Sequence, residues 1–136
     1  MRDDWEFVRS SSDIKTTLAE AGWDTRDLPT IISGHLAEKG VERGAAVRQS
    51  RLNPTFAYQI MSGARHASRD KLIQLAFGLD LDIDESCDLL ERGGSSALRP
   101  SCCRDAAIAY CLEKSLGVDA CDDLLWAIGE KTIRIM

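Results

Sequence analysis

The chain has 136 residues, of which 44% are hydrophobic and 29% charged, so it is long enough to bury a core unaided. Aromatic residues make up only 6% and Pro occurs three times, which disfavours an all-β fold and favours helices. The net charge of −5 disfavours a nucleic-acid partner at first sight. No apolar run reaches the roughly 20 residues that span a bilayer, and the acidic N-terminus is unlike a secretory signal. We therefore expect a cytoplasmic protein.

Residues 1–24 predict a helical extension. A helix capped by Ser12 or Asp13 places Ile14 and Leu18 one turn apart on an apolar stripe. A second apolar group precedes this helix and is expected to pack in the core: Trp5, Phe7 and Val8.

A longer helix is predicted from Thr25 or Asp27 to Lys39, where Gly40 ends it. Its apolar residues recur with helical spacing and form one inward face: Leu28, Ile31, Ile32 and Leu36. His35 lies one place off this face, so we expect a surface or hydrogen-bonded histidine and no metal ligand there.

The most informative stretch is residues 43–66, RGAAVRQSRLNPTFAYQIMSGARH, which predicts two short helices and a tight turn. Asn53 is a helix N-cap with Pro54 at the first helical position, and the second helix, about 54–62, stops at Gly63. Phe56, Ala57 and Ile60 form its inward face. Its other side carries hydroxyl and amide groups suited to a DNA major groove: Thr55, Tyr58, Gln59 and Ser62.

The charge distribution reverses the inference from the net charge. Residues 43–75 hold six basic residues against one acid, a net of +5, so the rest of the chain carries −10. A basic block that coincides with a candidate recognition helix is typical of DNA-binding proteins. The alternative is an ordinary solvated surface.

Two further helices are predicted after this stretch. The first follows Ser68, with Asp70 in its first turn, where the helix dipole favours a carboxylate. The second follows Asp84, which we expect to be its N-cap. The acids of residues 80–91 imitate a calcium-binding EF-hand loop, but Glu85 occupies the sixth place, where that loop needs Gly, so no calcium site is expected.

GlyGlySerSer (93–96) reads as a linker, and residues 97–136 predict a helical hairpin, Arg104–Ser115 and Val118–Gly129. The hairpin either packs back on the preceding unit or pairs with a second copy. The five cysteines form no metal-binding or redox motif, so we expect packing roles and reduced thiols, and only the adjacent Cys102 and Cys103 invite a chemical test.

The segment LNPTFAYQIMSGARHASRDKLIQLA resembles the helix-turn-helix of the Xre/phage-repressor family of bacterial DNA-binding proteins, over roughly residues 26–92. For residues 25–92 the resemblance implies a five-helix repressor-like unit. Together with the N-terminal helical extension (1–24) and the C-terminal helical hairpin (97–136), this predicts an all-α fold. It also implies double-stranded DNA as partner and a homodimer, without a cofactor. Arg43 stands where the family usually carries a Gln that contacts phosphate, and Arg51 where its turn usually carries Gly.

The candidate site therefore contains eight DNA-binding residues: Arg43, Asn53, Thr55, Tyr58, Gln59, Ser62, Arg65 and Arg69. The Gln59 amide can pair with adenine, Thr55 can contact a thymine methyl or a phosphate, and Tyr58 and Ser62 can contact the sugar–phosphate backbone. Asn53 either caps its helix or contacts a phosphate. The resemblance makes Arg65 and Arg69, which flank the Gly63 loop, phosphate contacts.

These residues predict a sequence-specific transcriptional regulator. The sequence contains neither a nucleophile–base pair nor a Gly-rich phosphate loop, so it does not indicate an enzyme. The alternative is a helical adaptor that keeps the fold but binds a protein, through the C-terminal hairpin. It is suggested by the acidic remainder of the chain and by the small set of base-reading side chains.

Overall fold

The computed structural model describes residues 5–21 and 26–134, and these residues form nine α-helices without a strand. The all-α class is therefore confirmed. None of these helices combines the length and the apolar character needed to cross a membrane. In chain order the helices are α1 Glu6–Arg9, α2 Ile14–Glu20, α3 Leu28–Lys39, α4 Arg43–Ser50, α5 Pro54–Ser62, α6 Arg69–Gly78, α7 Ile83–Arg92, α8 Cys103–Glu113 and α9 Val118–Ala127.

Several helices begin and end at the residues that local chemistry predicts. Asp27 caps α3 by accepting a hydrogen bond from the Thr30 amide at 3.0 Å, and Gly40 ends it in the left-handed conformation. Thr25, the other predicted start, lies outside the described residues. At α7 the prediction was wrong: Asp82, not Asp84, is the N-cap. The Asp82 carboxylate accepts from the Glu85 amide while Glu85 accepts from the Asp82 amide, a capping box that Asp84 cannot form because it lies inside the first turn.

Helix α6 is the centre of the core. All eight residues from Leu72 to Leu79 are buried, so α6 is enclosed by its neighbours on every side along its C-terminal half. Helix α4 lies against it most closely. At their crossing a Cβ on Gly78 would overlap the carbonyl oxygen of Ala46 and would lie 3.0 Å from the Ser50 Cβ. The two helices can approach this closely only because residue 78 is Gly.

Helix α6 holds the turn between α4 and α5 in place through a buried hydrogen bond. The Gln74 amide, itself buried, donates to the Ser50 carbonyl at 3.0 Å and so satisfies an acceptor that the end of α4 leaves open. The Ser50 hydroxyl accepts from the Leu52 amide at 3.2 Å, and Leu52 is buried beneath the turn. Arg51 adopts a left-handed φ of 60°, the conformation that Gly takes without cost. These contacts set the angle at which α5 leaves α4.

The C-terminal hairpin packs back on the preceding helices of its own chain. Its apolar residues belong to the same buried cluster as those of α3 to α7, with Ile108, Leu112 and Leu125 among them. The segment after Gly93 is not a loose linker, because Gly93 packs against Leu72 and Leu98 is buried.

Two ion pairs connect α6 to α8, and each joins an Arg of one helix to an Asp of the other. Arg69 of α6 donates to both carboxylate oxygens of Asp105 at 3.0 and 2.9 Å, and Arg104 of α8 donates to those of Asp70 at 3.1 and 3.2 Å. Arg69 also donates to the Ser96 and Ala97 carbonyls, and Asp105 is 4% exposed. Burial raises the pKa of Asp105, but hydrogen bonds from Arg69 and the Arg99 amide and the charges of Arg69 and Arg104 outweigh it, so that this pKa lies below its ordinary value.

The apolar residues before α2 do not join the core. The expectation for Trp5, Phe7 and Val8 was wrong, since their side chains are 64%, 38% and 37% exposed. Ile14 and Leu18 of the α2 stripe are exposed too. Helix α1 has only four residues, and neither α1 nor α2 contributes a buried residue.

The packing expectation is confirmed for two of the five cysteines, and for Cys103, which is exposed, it was wrong. Cys111 and Cys121 are fully buried and face each other across the hairpin, where burial raises the pKa of both thiols. Cys87 and Cys102 are half-buried and Cys103 is exposed, and all five thiols are free.

We expect Gly78→Ala to lower the free energy of unfolding by about 2–3 kcal/mol, because the added methyl group forces α4 and α6 apart. Urea denaturation measures the change. Gly34→Ala is the matched control: a Cβ there meets nothing within 4 Å, so this variant should be neutral or gain up to about 1 kcal/mol of helix propensity. Equal effects of the two substitutions would contradict the close helix crossing.

We expect Asp105→Asn to lower the free energy of unfolding at pH 7 by about 2–3 kcal/mol, because Arg69 loses its charged partner in a largely buried setting. Asp119→Asn is the control. Asp119 also pairs with two arginines, Arg51 and Arg134, but it is 56% exposed, so its loss should cost less than about 1 kcal/mol.

The pH dependence of this effect has a defined sign. The folded-state pKa of Asp105 is lowered, so its carboxylate stabilises the protein above the unfolded-state pKa of about 3.9 and stops doing so as the pH falls through the folded-state pKa. Urea denaturation of wild type and Asp105→Asn from pH 7 down to pH 3 should show the difference between them shrinking below about pH 4. A constant difference over this range would contradict the assignment.

Candidate nucleic-acid interface

Five of the eight predicted DNA-binding residues come together on one surface. They line a shallow, open hollow of about 520 Å³ on the outer side of α5: Arg43, Thr55, Tyr58, Gln59 and Ser62. Four of them belong to α5 and Arg43 is the first residue of α4, so the α4–α5 turn described above decides how they meet. The inward residues Ala57 and Ile60 are fully buried and hold the opposite side of α5 against the core, while Phe56 is half-buried.

The side chains of this hollow differ in whether they already form hydrogen bonds within the protein. Among the described residues, the Gln59 amide, the Thr55 hydroxyl and the Tyr58 hydroxyl form no hydrogen bond, and Tyr58 is 44% exposed. Ser62 is less available, because its hydroxyl donates to the Gln59 carbonyl at 3.1 Å and accepts from the Ala64 amide at 3.4 Å. Gln59 is therefore the side chain in the hollow with both a free donor and a free acceptor on one amide.

Asn53 caps α5. Its side-chain oxygen accepts a hydrogen bond from the Phe56 amide at 3.2 Å, and Pro54 follows at the first helical position. Gly63 ends the helix with a φ of 84°. Of the two roles left open for Asn53, the structure shows the capping role.

Arg65 lies beside the hollow and is held by α5. Its guanidinium carbon is 5.5 Å from the centre of the Phe56 ring, a cation–π contact, and its amide donates to the Gln59 carbonyl at 3.2 Å. Arg43 donates to the Ser33 hydroxyl at 3.4 Å, a weak neutral partner. Both guanidinium groups thus keep most of their donors free for an anion.

Arg69 has a different role from the one expected. Its guanidinium donates four hydrogen bonds, two to Asp105 and one each to the Ser96 and Ala97 carbonyls, and its side chain is 24% exposed. The sequence placed Arg69 beside the Gly63 loop, but its partners lie 27 to 36 residues further along the chain. It is a structural residue of the contact between α6 and α8, and we leave it out of the interface.

Arg48 belongs with the interface although the sequence argument did not single it out. One of its guanidinium nitrogens lies 3.4 Å, and the Tyr58 hydroxyl 3.8 Å, from the point where a Cβ on Gly44 would stand. The sequence places Arg48 in the basic block, but its exposed position on α4 appears only in the structure. Glu42, whose carboxylate is 3.5 Å from the same point, is an acid at the edge of this surface.

The hairpin divides the basic block into two groups. Arg51 pairs with Asp119 at 3.2 Å and Arg69 with Asp105, so two of its six cations are neutralised by acids of α8 and α9. The other four form no ion pair with the residues that the structure describes: Arg43, Arg48, Arg65 and Lys71. Three of these four border the hollow or the Phe56 ring, which concentrates positive charge on the outer side of α5.

Comparisons of the chain with protein-family models, with curated proteins and with solved structures found no match.

Proposed function

We propose that the protein is a sequence-specific, double-stranded DNA-binding regulator in which α4 and α5 form a helix-turn-helix and α5 enters the major groove. The observation that carries the proposal is the hollow on α5. There the Gln59 amide lies among Thr55, Tyr58 and Arg43, and the arginines on either side form no ion pair with a residue that the structure describes. Amide and hydroxyl groups read base edges, and cations hold the phosphates that flank them.

Each side chain takes a role that its surroundings leave open. Gln59 pairs with an adenine, and Thr55, one turn earlier, contacts a thymine methyl group. Tyr58 donates its hydroxyl hydrogen to the sugar–phosphate backbone. Arg43, Arg48 and Arg65 bind phosphates, which fixes the position of α5 without reading sequence.

The base-reading set is small, which favours a dimer. Pro54 carries no donor, Asn53 spends its oxygen on the helix cap and Ser62 bonds to its own helix, so few side chains remain to read bases. Two copies on a two-fold symmetric site would double that set.

A protein-binding adaptor is the second candidate, because the hairpin exposes large hydrophobic side chains. Tyr110 of α8 is 55% exposed, and Trp126 and Ile128 at the end of α9 are 77% and 45% exposed. Aromatic side chains are enriched at protein interfaces. This observation is compatible with a regulator that also binds a protein, so DNA binding is the property to test first.

The test is fluorescence anisotropy with DNA from upstream of the protein's own gene and with duplexes enriched from a randomised library. Binding of the wild type should weaken steeply with salt. The log–log slope should be near −3 for each bound copy if three arginines neutralise three phosphates, and about twice that for a dimer. Gln59→Ala should lose about 1–3 kcal/mol of discrimination at one base pair of each half-site. Arg65→Ala should weaken binding to all sequences and reduce the slope by about one for each bound copy.

Matched controls are available in the same chain. Gln49→Ala removes the same amide from α4, where Gln49 lies beside α9, and Arg99→Ala removes a cation from the segment that precedes α8. Both should bind DNA as the wild type does. If the folded wild type shows no DNA binding at low salt, or if the controls lose as much as the test variants, the regulator is contradicted and the adaptor becomes the leading function.

A further inference from the structure

A group of metal-ligating side chains lies where α3 meets α7, away from the DNA-binding surface. His35 and Glu38 are three residues apart on α3, and Glu85 reaches them from the first turn of α7. One donor atom from each of the three lies within 4.8 Å of the others. A spacing of three residues puts His35 and Glu38 on one side of the helix, towards Glu85.

His35 is the unusual member of this group. Both of its ring nitrogens are closed to solvent, and neither forms a hydrogen bond with the residues that the structure describes. Its Nδ1 lies 3.7 Å from a Glu85 oxygen, too far for a hydrogen bond, and the side chain is 13% exposed. A largely buried imidazole without a partner forfeits the hydrogen bonds that it makes in water, so the ring nitrogens of His35 remain available to a ligand.

We propose that His35, Glu38 and Glu85 bind a divalent transition-metal ion of the Zn²⁺ type. Imidazole nitrogen and carboxylate oxygen are the ligands that such an ion accepts, and three protein ligands leave one position for water, on the side of the exposed Glu38. Ligands about 2.0–2.2 Å from one ion lie at most about 4 Å apart. The three donor atoms lie within 4.8 Å of one another, so a small change in the Glu38 rotamer is enough to bring them to that spacing.

The surroundings of Glu85 leave one of its oxygens free for the ion. Its Oε1 accepts from Lys39 at 2.8 Å and from the Asp82 amide at 3.1 Å, while Oε2 is the oxygen that faces His35. Hydrogen bonds to the other oxygen of a ligating carboxylate orient it. Lys39 offsets one of the two carboxylates, so the site keeps a net negative charge for a cation.

A bound ion would connect α3 to α7, and its binding would add to the stability of the folded chain. This inference does not rest on DNA binding, because it uses none of the residues of the α5 surface.

The test is isothermal titration of the full chain with ZnCl₂. Because thiolates bind Zn²⁺ strongly, Cys102→Ser/Cys103→Ser is titrated alongside and should bind one ion as the wild type does. His35→Ala should weaken binding about 100-fold and Glu38→Gln about tenfold. His66→Ala, which removes the other histidine of the chain from an exposed loop, should change nothing.

Thermal unfolding supplies a second measurement. Zn²⁺ should raise the Tm of the wild type and of His66→Ala and leave that of His35→Ala unchanged. The proposal is overturned if the wild type binds no Zn²⁺ at millimolar concentration, or if one-to-one binding survives His35→Ala. Should His35→Ala fail to fold, the exposed Glu38 can be changed safely, and an unaltered affinity of Glu38→Gln overturns the proposal.

Discussion

An Arg-Asp dipeptide of α6 and another of α8 form two crossed ion pairs, and much of the structure depends on this contact. Arg69 pairs with Asp105 and Arg104 with Asp70, each through two hydrogen bonds. Burying such charges costs desolvation energy, so their main contribution is to fix one arrangement of the two helices. A shift of α8 by one turn would separate both pairs at once and leave a buried carboxylate without a cation. We infer that the pairs set the register of the hairpin on α6.

The hairpin also affects the electrostatics of the surface around α5. The hairpin brings Asp105 and Asp119 to two cations of the basic block, and Arg104 neutralises its one acid, Asp70. The arginines of the block that form no ion pair with a described residue lie around α5. An acidic net charge and a basic surface around α5 are thus compatible in one small protein, because acids of the hairpin are paired within the fold.

The sequence predicts those parts of the fold that local chemistry controls. Caps such as Asp27 and Asn53 act on amides three residues away, so their roles follow from a short segment. Even there, Asp82 and Asp84 are both plausible caps, and only the matching Glu85 decides between them. The outer residues of α5 were also predictable, because a helix fixes which of its side chains share a face.

Contacts between distant residues could not be predicted in this way. The partner of Arg69 is 36 residues away, and nothing near Arg69 in sequence distinguishes it from Arg65, which stays at the surface. His35 and Glu85 meet only because α3 packs on α7, and the need for Gly at position 78 appears only once Ala46 lies against it. The exposed Trp5 shows the reverse case: its apolar character predicted burial, but it lies 64% exposed at the start of the four-residue α1.

The way Asp122 binds the end of the described chain has a consequence for local unfolding. This buried carboxylate accepts from the Ile133 amide at 2.6 Å and the Arg134 amide at 3.1 Å, while Arg104 donates to the Lys131 and Thr132 carbonyls. Both partners belong to the hairpin, so residues 131–134 are attached to α8 and α9 through four backbone groups. Local opening of this segment would leave the buried Asp122 carboxylate without its two donors. The segment and the hairpin are therefore expected to open together as one cooperative unit.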